Sequence, residues 1–290
     1  MYSMSIVIEA ILNGVLTGSI YALIALGLTL VYGVLHIINF SHGAMLAASM
    51  FLVLSLNQHF NLDPYIQLPI IVPALFIVGY VIQRFLIGPG SHGRDENILI
   101  ITLGLSIVIE NVLLAIFRSD VRSLSSDYSF DVFEFGPFIF SQARVFGLFA
   151  SVLTAALLWV FLAKTNTGKA IRAVSKEKLG ASLVGINVKH IYAVTFGIGC
   201  ACLAVSASLL LPTFYVYPSI GSAFVLVAFT VVVLGGMGSI VGALVGGIFI
   251  GIVESLCGLF LGESLGQIGI FITFILVLLF KPTGFFGAKA

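Results

Sequence analysis

The sequence predicts an all-α, polytopic membrane protein with about eight to nine membrane segments, one or two of them candidates for a broken or re-entrant path. Three observations predict it. Of its 290 residues, 60% are hydrophobic and 9% are charged, against roughly a quarter charged in an ordinary soluble domain. Apolar runs of about 18 residues or more, enough to cross ~30 Å of hydrocarbon at ~1.5 Å per residue, recur along the whole chain. Stretches such as Leu23 to Val31 show no alternation of apolar and polar residues, which argues against a membrane β-barrel.

The apolar segments fall near 6–32, 40–56, 65–87, 97–117, 145–163, 191–217, 222–236, 240–261 and 265–280. Polar or turn-rich breaks separate them, as at Asn57 to Pro64 and at Gly88 to Glu96, which contains Pro89, Gly90 and Gly93. No Lys or Arg precedes Arg84, so the first segment lacks the basic region of a cleavable signal and is expected to stay as a helix. The stretches 222–236 and 33–56 are the re-entrant candidates, the first because it is short and the second because it is interrupted. No linker rich in Gly, Ser or Pro divides residues 1–290, so a single transmembrane domain is expected. The small-residue segments of the two halves echo each other without forming a repeat.

Charge distribution supplies orientation. The 27 residues from Lys164 to His190 hold six of the thirteen Lys and Arg, with Glu177 as their only acid. A basic loop between membrane-length apolar runs is retained on the cytoplasmic side during insertion, so 164–190 is expected there. The stretch 118–144, near balance in charge and one crossing earlier, is expected outside. Counting crossings from the basic loop puts Gly88–Glu96 and the C-terminal tail Lys281–Ala290 in the cytoplasm. Cys200, Cys202 and Cys257 all lie in apolar stretches and are read as small buried hydrophobes.

Four features inside the apolar segments carry information. Gly238, Gly242 and Gly246 recur every four residues, followed by Gly247 and Gly251. In lipid such residues let two helix backbones approach closely, so a tight helix–helix face is expected. Glu254, three residues after Gly251, belongs to that face and should be buried, because a carboxylate facing lipid costs about 3 kcal/mol. It is either an interhelical tie or part of a permeation path. Glu110, beside Asn111, poses the same choice. Segment 36–43, His-Ile-Ile-Asn-Phe-Ser-His-Gly, places polar side chains between two apolar helices; Asn39, Ser41 and His42 read as a helix break whose polar groups line a path or cap a turn. The His spacing does not suit a metal site. No phosphate-binding glycine loop, nucleophile elbow or His-Glu-x-x-His motif occurs. The chain is therefore read as a transport protein and not an enzyme, with no cofactor, and active transport would draw its energy from another subunit or an ion gradient.

Several stretches, taken together, resemble the Liv-type permeases, the membrane subunits of bacterial branched-chain amino acid ATP-binding cassette importers. They are Gly18-Ser-Ile-Tyr-Ala-Leu-Ile-Ala-Leu-Gly27, Val31-Tyr-Gly33, Asn39-Phe-Ser-His-Gly-Ala44, Thr102-Leu-Gly-Leu105, Gly168-Lys-Ala-Ile-Arg-Ala-Val174, Gly185-Ile-Asn-Val188, Leu234 to Ile240 and Lys281-Pro-Thr-Gly-Phe-Phe-Gly287. They run in order over nearly the whole chain. Ala47-Ala48 and Val205-Ser-Ala-Ser208 depart from the family pattern.

The resemblance implies an inner-membrane permease working by alternating access, paired with a second homologous permease, two cytoplasmic ATPases and a periplasmic binding protein. No nucleic acid is implied. Branched-chain or other hydrophobic amino acids are the leading solutes; related permeases serve urea, short amides or aromatic acids, and an autonomous channel or ion-coupled carrier is the rival of a different class. Gly168, Arg172, Glu177, Ala181 and Gly185 would make the ATPase contact, Ala181 and Gly185 through an Ala-x-x-x-Gly pattern. Lys169, Arg172 and Lys176, at three- and four-residue spacing, form a basic stripe on a short helix. Asn39, Ser41, His42, Thr102, Glu110 and Glu254 are the candidate path residues.

Overall fold

The computed structural model describes residues 4–92, 94–124, 131–135, 138–262, 265–281 and 283–287. It contains α1 (Met4–Leu35), α2 (His42–Phe60), α3 (Leu68–Gly90), α4 (Asp95–Phe117), α5 (Gln142–Lys164), α6 (Asn166–Lys176), α7 (Lys178–Leu183), α8 (Val188–Leu210), α9 (Ile220–Gly235), α10 (Ile240–Leu261) and α11 (Gly266–Phe280). Seven of these are long and apolar enough to cross a membrane, while α9 and α11 are shorter apolar helices. The all-α expectation holds, and helix bounds fall within a few residues of the apolar segments, except that α8 stops at Leu210 and not 217.

One element was not foreseen. A hairpin, β1 (Val132–Phe135) and β2 (Phe138–Ser141), pairs Val132 with Ser141 and Phe133 with Phe140 inside the stretch 118–144. Residues 125–130 and 136–137 of that stretch lie outside the described residues.

Helix α1 is the centre of the bundle. From Gly18 to Leu30 every residue is buried, and a helix apolar on all sides is one surrounded by protein. It runs antiparallel to α10, since Gly14 lies at Gly251 and Ile252 while Gly33 lies at Gly238. One end of the bundle carries the basic helices α6 and α7 together with the α9–α10 turn and the tail 281–287. The other carries the α2–α3 link, the hairpin and the α10–α11 link. At the basic end the tail seals α9: the amides of Phe285 and Phe286 donate to the carbonyls of Leu234 (2.8 Å) and Gly235 (3.2 Å), groups that a helix C-terminus leaves without intrahelical donors.

Two helices begin at half-depth. After α1 ends, His36 takes a left-handed φ of 56° and the chain climbs to His42. The His42 ring donates through Nε2 to the carbonyl of Ile24 (3.0 Å), in the middle third of α1, and it lies by Gly27, which packs on Gly199 at the centre of α8. From there α2 runs away from the basic end, and Phe51 stacks on Phe117 at the far end of α4 (4.3 Å between centroids). In the second half of the chain, residues 211–219 descend as a partly buried irregular segment and α9 begins at Ile220. Gly221 faces Gly43, so closely that a Cβ on either would strike the other's carbonyl oxygen. From there α9 runs the opposite way, to the basic end. Neither segment is re-entrant. Each is a broken crossing, one half irregular and one half helical, with Ile37, Asn39 and Ser41 buried in the first irregular half and Leu211, Pro212, Val216 and Pro218 in the second, the cover that irregular backbone at membrane depth requires.

Candidate functional site

The two half-depth helix starts form one wall of a cleft of about 190 Å3. Phe40, Gly43 and Ala44 contribute from the start of α2, and Ser219, Gly221, Ser222 and Val225 from the start of α9. The opposite wall is a stripe on α4, Leu103, Ser106 and Glu110, residues three and four apart that share a helix face. Ser106 is the midpoint of α4, which places the cleft at mid-depth. Helix N-termini carry partial positive charge, and here two of them converge where transporters with broken helices hold their solutes.

The polar groups of this cleft are unspent. Elsewhere in the bundle hydroxyls turn back on their own helix: Ser49, Thr154, Thr195, Ser206, Ser208 and Thr230 each donate to the carbonyl four residues earlier, at 2.6–3.2 Å. Among the described residues no such bond engages Ser106, Ser222 or the helix-capping position Ser219, and no hydrogen bond or ion pair engages the half-buried Glu110 carboxylate. Placing a carboxylate at mid-depth costs about 3 kcal/mol on insertion scales, so an arrangement that leaves it unpaired calls for something else to meet it.

The other membrane carboxylate is spent. Glu254 is half-buried, less than the full burial expected, and accepts a hydrogen bond from the buried Tyr21 hydroxyl, with the Arg144 charge within electrostatic reach of both. One position further on, the Ser255 hydroxyl donates to the Ala10 carbonyl at 2.7 Å. Both bonds join α10 to α1. The glycines preceding them divide between two contacts instead of forming one face. Gly247 and Gly251 meet α1 at Gly18 and Ala22, and a Cβ on Gly247 would lie 2.5 Å from the Ala22 backbone. Gly242 and Gly246 meet α9 at Gly235 and Val231, whereas Gly238, in the turn at φ 89°, lies against Gly33.

The remaining path candidates do not line the cleft. Asn39 accepts from the amide (3.1 Å) and hydroxyl (2.7 Å) of Ser41, closing the turn that starts α2. Thr102 accepts weakly from the Phe40 amide (3.4 Å) and donates to the Leu99 carbonyl (3.1 Å). With His42 committed to Ile24, these side chains hold the broken backbone in place and so shape the cleft wall at Phe40 and Gly43. Among the described residues no three His, Cys, Asp or Glu side chains gather as a metal site.

At the basic end, Thr165 caps α6 by accepting from the Gly168 amide (2.9 Å), and Gly168 is buried against the last turn of α5. Lys169, Arg172 and Lys176 are exposed on one side of α6, with Ile171 and Val174 buried on the other. Glu177 accepts from the Leu179 amide (3.1 Å) and starts α7. Ala181 is buried, and Gly185, at φ 88°, ends the helix as the Ile186 amide returns to the Ala181 carbonyl, a left-handed cap of the kind glycine favours. The Ala-x-x-x-Gly pattern thus sets the shape of α7, with Ala181 buried and Gly185 exposed at its end. Leu179, Leu183 and Val184 are 74%, 87% and 77% exposed, an apolar knuckle within the most basic loop of the chain. The sequence reading missed it, although apolar residues within the most basic loop were the available signal.

A family model for the permease component of the branched-chain amino acid transport system matches residues 10–279. The chain belongs to that family. It is 33% identical to the high-affinity branched-chain amino acid transport system permease protein BraD of Pseudomonas aeruginosa, covering 97% of this chain and 95% of that protein. It is 34% identical to the corresponding LivH protein of Escherichia coli K12, with the same coverage. A probable branched-chain amino acid transport permease protein LivH of Methanocaldococcus jannaschii is 29% identical over 89% of this chain and 84% of that protein. The chain is therefore a transport permease and a multi-pass membrane protein.

Proposed function

We propose that this chain is one permease of an ATP-driven importer for branched-chain or other hydrophobic amino acids, with residues 1–290 acting as a single translocating domain. It takes solute from a periplasmic binding protein and works by alternating access, switching between states that favour opposite openings. The basic end, with α6, α7 and the C-terminus, faces the cytoplasm, and 118–144 faces outward. The knuckle Leu179, Leu183 and Val184 seats in an ATPase, with the exposed Lys169, Arg172 and Lys176 beside it.

The single observation that carries this reading is the apolar knuckle on the most basic loop of a chain that belongs to this family. Cations retained on the cytoplasmic side set the orientation, and exposed leucines on a water-facing loop require a cover. The second permease covers the face of α4 and α9 that bears Glu110, Ser219 and Ser222, which lipid would disfavour. Urea, short amides and aromatic acids, the alternative solutes, carry no ammonium group, and the carboxylate in the cleft favours a solute that bears one. The test is uptake by proteoliposomes containing the complete complex. Leucine uptake that requires ATP is expected; uptake driven by a proton gradient without ATP would replace the importer by an ion-coupled carrier.

A further inference from the structure

Resting on the amino-acid importer reading, we propose that the α2/α4/α9 cleft is a transit site that recognises the zwitterionic head of an aliphatic amino acid. Glu110 receives the ammonium group. Ser106, Ser219 and Ser222 donate to the carboxylate, aided by the partial positive charge of the two helix starts. Phe40, Leu103 and Val225 form the apolar wall for the side chain.

The cleft itself and its unspent carboxylate carry the argument. Its volume of about 190 Å3 gives room for one small amino acid. Its polar groups match the two ends of a zwitterion in kind: one anion, and hydroxyls that can donate. The two stripes that bear them, 103/106/110 on α4 and 219/222/225 on α9, place polar and apolar groups side by side on both walls. A solute with an ammonium and a carboxylate close together and a branched apolar tail satisfies both kinds at once. An uncharged amide leaves Glu110 without a counter-ion, and a bare proton leaves the apolar wall idle. Among the described residues no Arg or Lys lines the cleft, so the carboxylate is held by neutral donors. That weakness suits transit, because a site on a conduction path must release what it binds.

The experiment uses the full complex in proteoliposomes, with radiolabelled leucine. Glu110→Gln is expected to cut ATP-driven uptake at least tenfold at a normal yield of assembled complex, and Glu110→Asp to recover much of it. A second variant, Ser222→Cys, keeps Glu110 intact and is labelled with a small methanethiosulfonate during turnover. Leucine should slow its labelling at least threefold relative to leucine-free conditions, after subtraction of the parent protein's signal. Unchanged uptake by Glu110→Gln overturns the site while the importer reading stands. If Glu110→Gln does not assemble, the cysteine decides, and equal labelling with and without leucine overturns the site alone. Absence of ATP-driven leucine uptake by the unsubstituted complex overturns both.

Discussion

The α1/α10 seam and the α2/α4/α9 cleft both contain glycines, serines and one carboxylate, and they use them in opposite ways. In the seam, Gly14, Gly18, Gly247 and Gly251 bring two long helices into backbone contact, Ser255 bonds across it and Tyr21 closes on Glu254. In the cleft, Gly43 and Gly221 again touch, yet only at the tips of two half-depth helices. Because these helices then run in opposite directions, the contact is a point and not a line. Space opens beside it, and the side chains of Ser106, Ser219, Ser222 and Glu110 face that space without hydrogen-bond partners among the described residues. The same residue types therefore make a tie where two helices stay together and line a cleft where they diverge. Glycine spacing by itself does not separate the two outcomes.

The largest expected effect comes from breaking the seam. Gly247→Leu and Gly251→Leu force rigid backbones apart, and overpacking of this kind costs about 1–3 kcal/mol or more per site. Loss of membrane-inserted, thermally stable protein should be nearly complete for either variant. On the α9 side, Gly242→Leu should be as severe, since a Cβ there meets the Gly235 carbonyl, whereas Gly246→Ala meets only 3.0–3.3 Å neighbours and should be milder. Normal stability of Gly247→Leu would mean that α1 and α10 do not pack as described.

The two carboxylates sharpen the contrast. Glu254→Leu strands the Tyr21 hydroxyl and should lower stability by about 1–3 kcal/mol, while Glu254→Gln keeps an acceptor and should retain most uptake. Glu110→Leu strands nothing, so its thermal stability in detergent should match or exceed that of the unsubstituted protein while uptake is lost. A reversed pattern, Glu110→Leu unstable and Glu254→Leu stable, would exchange the roles of the two regions.

Smaller effects are expected at the basic end and at the serines. Gly185→Ala places a Cβ at φ 88°, a left-handed conformation that costs an L-residue roughly 1–2 kcal/mol. The strain should loosen α7 and reduce uptake per ATP hydrolysed while the protein still inserts. Leu183→Asp should weaken ATPase copurification without lowering thermal stability, because Leu183 is not packed on the bundle. A cysteine at Val184 should react with impermeant reagents only from the cytoplasmic face, and labelling from outside would invert the topology. Smallest of all, Ser222→Ala should change stability by no more than about 0.5 kcal/mol, since its hydroxyl holds no partner among the described residues.

The sequence by itself determined the class, the helical segments and the family. These rest on local chemistry: an apolar run of membrane length must be helical to satisfy its own backbone, and the match to the permease family extends over residues 10–279. It also marked the informative residues, Glu110, Glu254, the break at 36–43 and the glycine run. The tertiary structure decided what each of them does. Glu110 and Glu254 look alike in sequence, and only the approach of α1 to α10 supplies Tyr21 to one of them. The glycines of 238–251 read as one stripe, but two neighbours on different sides of α10 divide them. Asn39, Ser41 and His42 read equally as path residues or as turn caps, and the long-range partner Ile24 and the turn geometry decide for the second by taking up their polar groups. The start of α9 gave no comparable polar signal, and its importance rests on the meeting of Gly221 with Gly43, residues far apart in the chain. Periodicity and composition report how a segment meets its surroundings on average. Which partner it meets is set by long-range packing, and the cleft exists only where two such packings fail to close.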